Sequence, residues 1–210
     1  MADGQYAAAV SGEIKNKRPL WVELPILVVV AVLVAVVVRT FVVQTFYIPS
    51  ESMENTLLKN DKVLVNKVVY RTRDPRRGEV VVFRPPASWK AETGADDYIK
   101  RIVGIGGDHI VCCDAQQRIT INGTPLDEDY LFPGDQPSRE RFDVTVPIGR
   151  IFVLGDHRSD SGDSRFHLLA DSGTVPLDRV VGEAFVLFWP FDRARTFSPP
   201  NAFAHIPAVH

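Results

Sequence analysis

The longest apolar run of the chain covers residues 24–38 and contains no charged side chain. Trp21 and Val22 before it and residues 41–43 after it bring the segment to the roughly 20 residues that a helix needs to cross a bilayer. A cleaved secretory peptide would end in small residues, whereas Arg39 follows this run, and a buried core helix seldom lacks a polar face. We therefore predict a single transmembrane signal-anchor helix over residues 21–43.

Beyond this segment, short β-branched runs recur about every ten residues between turn-forming residues. Strands are predicted at residues 62–70, 79–85 and 98–105, and in the runs DVTVP, GRIFVLGD and RVVGEAFVLFWP. Asn122-Gly123 indicates a hairpin turn. The pattern predicts a mostly β protein, with an antiparallel β domain over residues 44–210 and a smaller inserted β subdomain at about 107–148.

The distribution of charge predicts which way the chain is oriented across the membrane. The net charge of −2 gives no basic surplus, so no nucleic-acid partner is expected. Lys15, Lys17 and Arg18 precede the apolar run, and only Arg39 follows it closely. By the positive-inside tendency, residues 1–20 are predicted to be a cytoplasmic tail and the β domain to lie on the outer face of the membrane.

The two cysteines, Cys112 and Cys113, are adjacent in the sequence. Two cysteines build neither a disulfide framework nor a zinc site, and neighbouring cysteines rarely bridge each other. We therefore expect both to be strand residues, with an intermolecular bridge as the alternative.

Four stretches concentrate polar side chains that a β scaffold does not require: PSESM, RRGEVVVFRPP, DYIKRIVGIGGD and GDHRSDSGDSR. In the third, Lys100 interrupts an apolar strand and shares a face with Tyr98 and Ile102. If that face is the core, burial lowers the pKa of the lysine, and a neutral amine can take the proton of a serine hydroxyl. Ser52, in the first stretch, is the candidate nucleophile.

Each of these features also has a simpler explanation when it is taken alone. Lys100 fits an edge lysine, and Ser52 fits a turn or the N-cap of a helix. The fourth stretch also admits a cation site, although it lacks the final glutamate of a calcium loop; its carboxylates are Asp156, Asp160 and Asp163.

In this order and behind an anchor, the four stretches resemble the sequence boxes of type I signal peptidases. These leader peptidases are membrane-bound serine endopeptidases that remove signal peptides from exported preproteins. The resemblance extends from the apolar segment to about Glu183. It implies that Ser52 is the nucleophile, that Lys100 is the general base, and that the Ser50 hydroxyl and the Ser52 amide form the oxyanion hole. It further implies that Ser161 orients the lysine and that a polar group shapes the site, namely Asp163, Arg165, Asp156 and Arg158.

The resemblance also implies a reaction through an acyl-enzyme, with no metal and no organic cofactor. The expected substrates are preprotein signal peptides with small residues before the cut, bound in an extended conformation along a strand edge. The expected location is the bacterial cell membrane, with a single pass and contact with the lipid bilayer. Trp89, Phe46 and Tyr47 fit either the bilayer interface or the core.

The sequence departs from the family pattern at five positions. Glu51 replaces the glycine, Asn55 and Gly106 replace prolines, His157 replaces the asparagine and Gly162 replaces the alanine that the family often has. None of these removes a candidate catalytic group, so the departures bear on turn geometry and fine specificity.

Three other functions compete with this hypothesis. A Ser-His-Asp hydrolase would use His157 or His167 as its base, but the G-x-S-x-G elbow is absent. A self-cleaving repressor-type peptidase also uses a serine and lysine pair. Such proteins are soluble, and the predicted anchor argues against this alternative. A non-catalytic membrane-anchored β module that binds exported partners would require Ser52 and Lys100 to be incidental.

Overall fold

The structure, a computed structural model, describes residues 20–37, 39, 42–89 and 96–207. The chain separates into two compact units, Met1–Val38 and Arg39–His210. In the first unit the described residues form one helix, α1 (Leu20–Val37), whose apolar side chains are largely exposed. Within the described ranges, no helix combines the length and the apolar character that crossing a membrane requires. The predicted tail up to residue 19, and positions 38, 40 and 41 of the predicted anchor, lie outside the described residues. The anchor helix was predicted too long at its end, because Val43 pairs with Asn66 and already belongs to a β-strand.

The second unit is built on an antiparallel sheet of eight strands, so the mostly β prediction is confirmed. These strands are β1 Val43–Tyr47, β2 Lys62–Asn66, β3 Val80–Phe83, β4 Tyr98–Ile105, β9 Arg150–Leu154, β10 Val175–Pro176, β11 Val180–Trp189 and β12 Arg195–Thr196. Their order is β1-β2-β11-β3-β4-β9-β10, and β12 pairs with β11. The sheet therefore brings together strands from both ends of the unit.

The strand predicted at residues 62–70 is too long. β2 ends at Asn66, whose side-chain oxygen accepts hydrogen bonds from the amides of Val68 and Val69. Such an asparagine satisfies the backbone locally and competes with strand pairing. The chain then turns into a short 3-10 helix at Val69–Arg71.

A second, smaller sheet of four antiparallel strands comprises β5 His109–Cys112, β6 Ile119–Ile121, β7 Thr124–Pro125 and β8 Phe142–Thr145. The predicted hairpin turn joins β6 to β7, and Asn122 and Gly123 both have positive φ, at 53° and 76°. All four strands fall between β4 and β9, which pair with each other directly. The division into a main domain and an insertion at 107–148 remains a prediction.

Strand β4 lies between β3 and β9 and is buried over most of its length. Its apolar side chains enter three different core clusters, through Ile99, Ile102 and Val103. Lys100 and Arg101, between them, are each only 4% exposed. The centre of the sheet thus holds two basic side chains that an apolar strand would not need.

Two expectations about individual residues require comment. Cys112 is a strand residue as predicted, but Cys113 is not, and the prediction that the two are unbridged was wrong because a disulfide bonds them to each other. Strand β5 ends at Cys112, and the alternation of faces that separates neighbouring side chains in a strand does not continue to Cys113. Trp89 belongs to the core, at 1% exposure, whereas Tyr47 is 53% exposed.

Candidate active site

Ser52 lies in the turn that follows β1. Met53 and Leu57 are fully buried in the core beside Ile48, and the Leu57 amide donates to the Met53 carbonyl at 2.7 Å. The packing of these apolar side chains in the core holds the turn that carries Ser52 in place. Ser52 itself is 6% exposed and lines a cleft of about 400 Å³ together with Ser50 and Lys100.

Lys100 reaches the same cleft from the middle of β4. Its Nζ lies 2.5 Å from the Ser52 Oγ, within hydrogen-bonding distance, although the two residues are 48 positions apart. Burial lowers the pKa of Lys100 to about 8, against the opposing effect of the Asp163 and Asp156 carboxylates. In the described part of the chain, no carboxylate lies within ion-pair distance of this amine. The structure therefore holds a desolvated amine against a hydroxyl, as a Ser/Lys pair requires.

Ser50 lies next to Ser52, on the side that faces the cleft. Its Oγ lies 3.3 Å from the Ser52 Oγ, and its side chain is exposed to the cleft. Among the described residues, no acceptor receives a hydrogen bond from the Ser52 amide. A hydroxyl and an amide thus flank the candidate nucleophile, which suits the predicted oxyanion hole; that role remains a prediction.

Ser161, Asp163 and Arg165 form a buried group behind the amine. The Ser161 Oγ donates to Asp163 at 2.8 Å, and Arg165 binds both carboxylate oxygens of Asp163 at 2.8 Å. These contacts hold the pKa of Asp163 below its usual value in spite of its burial. No hydrogen bond joins Ser161 to Lys100 within the residues described, so the predicted orienting role of Ser161 has no direct contact to support it here.

Asp156 and Arg158 bind different partners, although both were assigned to the network of Asp163. Asp156 is fully buried and accepts two hydrogen bonds from Arg101, at 2.9 and 2.5 Å. Arg158 binds the buried carboxylate of Glu128. Arg158 still contacts the Asp163 group, because Arg165 Nη2 donates to the Arg158 carbonyl at 2.8 Å.

Sequence reasoning assigned no role to several residues that hold the site together. A Cβ atom added to Gly155 would lie 2.2 Å from the Ser161 Oγ and 2.4 Å from the Ser52 carbonyl oxygen, so glycine is required there. Arg101 also contacts Thr56, at 3.1 Å, and so connects the Ser52 turn to β4. A charged residue in an apolar strand was the only signal for Arg101.

Asn55 holds the Ser52 turn from the other side. Its φ is 79°, a left-handed conformation that proline cannot adopt and that asparagine tolerates. Its side-chain amide donates to the carbonyls of Tyr130 and Leu131, both at 3.0 Å. Asparagine, which stands here in place of the proline of the family pattern, thus anchors the turn through its side chain.

The two histidines considered as alternative bases occupy different places. His157 donates its backbone amide to the Ser52 carbonyl at 3.2 Å, while its ring stacks on Phe132 and points Nδ1 towards the Glu51 carbonyl. His167 lines the cleft, and its ring lies flat on Trp89 with the ring centroids 4.3 Å apart.

The alternative of a cation site has little support in the geometry. Asp156 and Asp163 are each bound by an arginine. Over the described residues, no group of three or more His, Cys, Asp or Glu side chains could hold a metal ion.

A serine hydroxyl held against a buried, desolvated lysine suits a nucleophile paired with a lysine base. Comparison with known proteins identifies the family. The family model described as signal peptidase, peptidase S26, matches residues 21–189. The chain belongs to this signal peptidase family, and the resemblance found in its sequence is confirmed.

Relatives extend the likeness over most of the chain. A probable signal peptidase I-2 from Synechocystis is 44% identical over 173 residues, which cover 82% of this chain and 75% of the relative. A signal peptidase I from Leptolyngbya laminosa is 37% identical and covers 82% of both chains. A probable signal peptidase I from Mycobacterium leprae is 34% identical over 89% of this chain and 82% of its own length.

The buried amine should cost the protein stability in a way that depends on pH. We expect Lys100→Met to be more stable than the wild type at pH 7 by up to about 3 kcal/mol, because a pKa lowered from 10.5 to about 8 means that folding disfavours the ammonium. Between these two values the unfolded chain holds more protons on Lys100 than the folded chain. The wild type therefore gains stability as pH rises through this window, and the advantage of the variant shrinks.

Urea unfolding of the full chain in detergent, at intervals from pH 7 to 10, measures this difference. The matched control is Lys59→Met, which removes the same charge from an exposed position and should show no comparable gain. A Lys100→Met advantage that stays constant with pH would contradict the assigned cause.

Proposed function

We propose that this protein is a serine endopeptidase that removes signal peptides from exported preproteins, with Ser52 as nucleophile and Lys100 as general base. The observation that carries the proposal is the 2.5 Å contact between the Ser52 Oγ and the Lys100 Nζ, both of them buried. Membership of the signal peptidase family and the names of the relatives support the reaction class.

The first half of the reaction forms an acyl-enzyme. The neutral Lys100 amine takes the Ser52 proton while the Ser52 Oγ attacks the carbonyl carbon of the scissile bond. The negative charge that develops on the carbonyl oxygen is placed against the Ser50 hydroxyl and the Ser52 amide, where a donor usually contributes about 2.7–4 kcal/mol. The protonated Lys100 then gives its proton to the departing amine, and the peptide bond breaks.

The second half repeats the proton transfers with water. Lys100, neutral again, takes a proton from a water molecule, which attacks the ester carbonyl. Collapse of this intermediate returns the proton to the Ser52 Oγ and releases the signal peptide. Ser161, Asp163 and Arg165 act behind the amine, and we assign them the role of shaping its surroundings rather than transferring protons.

The substrate is an extended segment with small residues at the first and third positions before the cut. The cleft of about 400 Å³ beside Ser52 is walled by Pro49, Ile99 and Gly162, which gives a shallow, partly apolar floor. Binding along a strand edge would supply main-chain hydrogen bonds, and the small pockets would select the side chains.

We assign residues 1–20 to a cytoplasmic tail, 21–43 to a signal anchor and 44–210 to an extracytoplasmic catalytic domain with an insertion at about 107–148. The anchor is supported by the uncharged run at 24–38 and by the exposed apolar side chains of α1, such as Leu27 at 64% and Leu33 at 59%. We infer from these assignments that the protein is located in a bacterial cell membrane.

Removing either member of the pair should abolish cleavage. We expect Ser52→Ala and Lys100→Ala to leave no detectable processing of a preprotein with an Ala-x-Ala site, followed as a size shift on a gel, because neither step of the reaction proceeds without the nucleophile or the base. His157→Ala is the comparison variant and should retain much of the activity. If His157→Ala is inactive and Lys100→Ala is active, the base is a histidine; if all three variants bind preprotein and the wild type does not cut it, the protein is a binding module.

The pH profile tests the protonation state of the base. Because Lys100 must be neutral to act, kcat/KM should rise about tenfold per pH unit on the acid side and level off above an apparent pKa near 8. The measurement is kcat/KM for a model signal peptide from pH 6 to 10. A flat profile, or one that falls with rising pH, would rule out Lys100 as the base.

The proposed anchor has its own test. The full chain, expressed in bacteria, should stay in the membrane pellet after washing with alkaline carbonate, since an apolar segment of about 20 residues inserts stably. Replacing Val29 and Val32 by lysine should shift the protein to the supernatant. Release of the wild type by carbonate would contradict the anchor and leave the assignment of the catalytic pair untouched.

A further inference from the structure

Another cavity, of about 320 Å³, lies outside the cleft, and four of its nine lining residues are basic. Lys67, Arg71, Arg84 and Arg179 contribute to its wall, against a single acidic residue, Asp178. The cavity forms where β2, β3 and β11 meet the 3-10 helix at Val69–Arg71. None of these residues belongs to the proposed reaction.

Among the described residues, the arginines of this cavity lack the carboxylate partners that several other arginines of the second unit have. Arg77, Arg101, Arg158 and Arg165 each form an ion pair with a buried carboxylate. By contrast Arg71, Arg84 and Arg179 form no ion pair with any described residue. Within the described part of the chain, their one side-chain hydrogen bond is long, from Arg179 Nη1 to the Pro85 carbonyl at 3.4 Å.

The backbone holds two of these arginines next to each other. The Arg84 amide donates to the Arg179 carbonyl at 2.9 Å, so the two main chains adjoin just after β3 and just before β11. Like charges on neighbouring residues repel each other. Guanidinium groups bind phosphate with paired hydrogen bonds, and a phosphate between them would turn this repulsion into attraction.

The position of the cavity indicates where such a phosphate comes from. The Lys67 amide donates to the Val42 carbonyl at 2.9 Å, so the cavity wall is bonded directly to the end of the 21–43 segment. If that segment is the anchor, its last residue lies at the level of the lipid headgroups. Basic residues next to a membrane-spanning helix interact with anionic lipid headgroups.

We propose that this basic cavity binds the phosphate of an anionic phospholipid headgroup and so fixes the height of the catalytic unit above the bilayer. The proposal rests on the anchor described above and not on the catalytic pair. The ligand chemistry is that of a phosphate group, and the lipid is preferred to free phosphate because Lys67, in the cavity wall, is hydrogen-bonded to Val42, near the end of the proposed anchor.

Footprinting of the full chain in lipid nanodiscs tests the proposal without any need for peptidase activity. Phenylglyoxal modifies exposed arginines, and mass spectrometry gives a rate for each one. In discs that contain phosphatidylglycerol, compared with discs of phosphatidylcholine alone, we expect the rates at Arg71, Arg84 and Arg179 to fall about threefold or more, the factor 1 + [L]/Kd for a site two-thirds occupied. Exposed arginines outside the cavity, Arg139 and Arg141, should change little.

Two variants and a separate measurement with inorganic phosphate distinguish a lipid-binding site from the alternatives. Arg84→Gln should remove most of the protection of Arg71 and Arg179, since the three share one ligand, while Arg141→Gln, with the same change of charge, should not. Equal slowing at Arg139 and Arg141 would show a surface potential only and overturn the site. Protection by inorganic phosphate in phosphatidylcholine discs, without protection by phosphatidylglycerol, would overturn the lipid assignment.

Discussion

A hydroxyl and an amine in contact, both shut off from water, form the interaction on which the proposed chemistry depends. Ser52 comes from a turn after β1 and Lys100 from the middle of β4, so only the folded sheet brings them together. The pKa of Lys100 falls because β4 is covered by core clusters on its flanks. A lysine at the edge of a sheet would keep its hydration and its proton. The main contribution of the fold to the proposed chemistry is thus the desolvation of the Lys100 amine.

The buried ion pairs around the cleft serve the same end. Asp163 and Asp156 both favour the charged form of Lys100, and each is held by an arginine, Arg165 and Arg101 respectively. Buried ion pairs add little net stability once their desolvation is counted. Here they supply position and charge balance: the loops that carry the carboxylates are fixed, and the negative charge near the amine is largely neutralised.

The reach of the sequence can be judged from particular residues. Lys100 could be found because a charge in an apolar strand is a local signal, and β4 was predicted with its observed bounds. The contact of Arg101 with Thr56 and Asp156 joins three distant positions, and no local pattern specifies it. The length of the strand predicted at 62–70 was overestimated, because β-propensity does not include the hydrogen bonds that the Asn66 side chain accepts from the backbone. The disulfide was missed because neighbouring cysteines rarely bridge each other, and the sequence did not show that β5 ends at Cys112.

The left-handed turn at Asn55 ties the candidate nucleophile to a distant part of the chain. Its side-chain amide donates to two main-chain carbonyl groups some seventy-five positions later, just beyond the second sheet's hairpin. A proline at this position has no such amide and cannot take this backbone angle. Replacing Asn55 by proline would therefore remove both hydrogen bonds and detach the turn that carries Ser52 from the backbone at Tyr130 and Leu131.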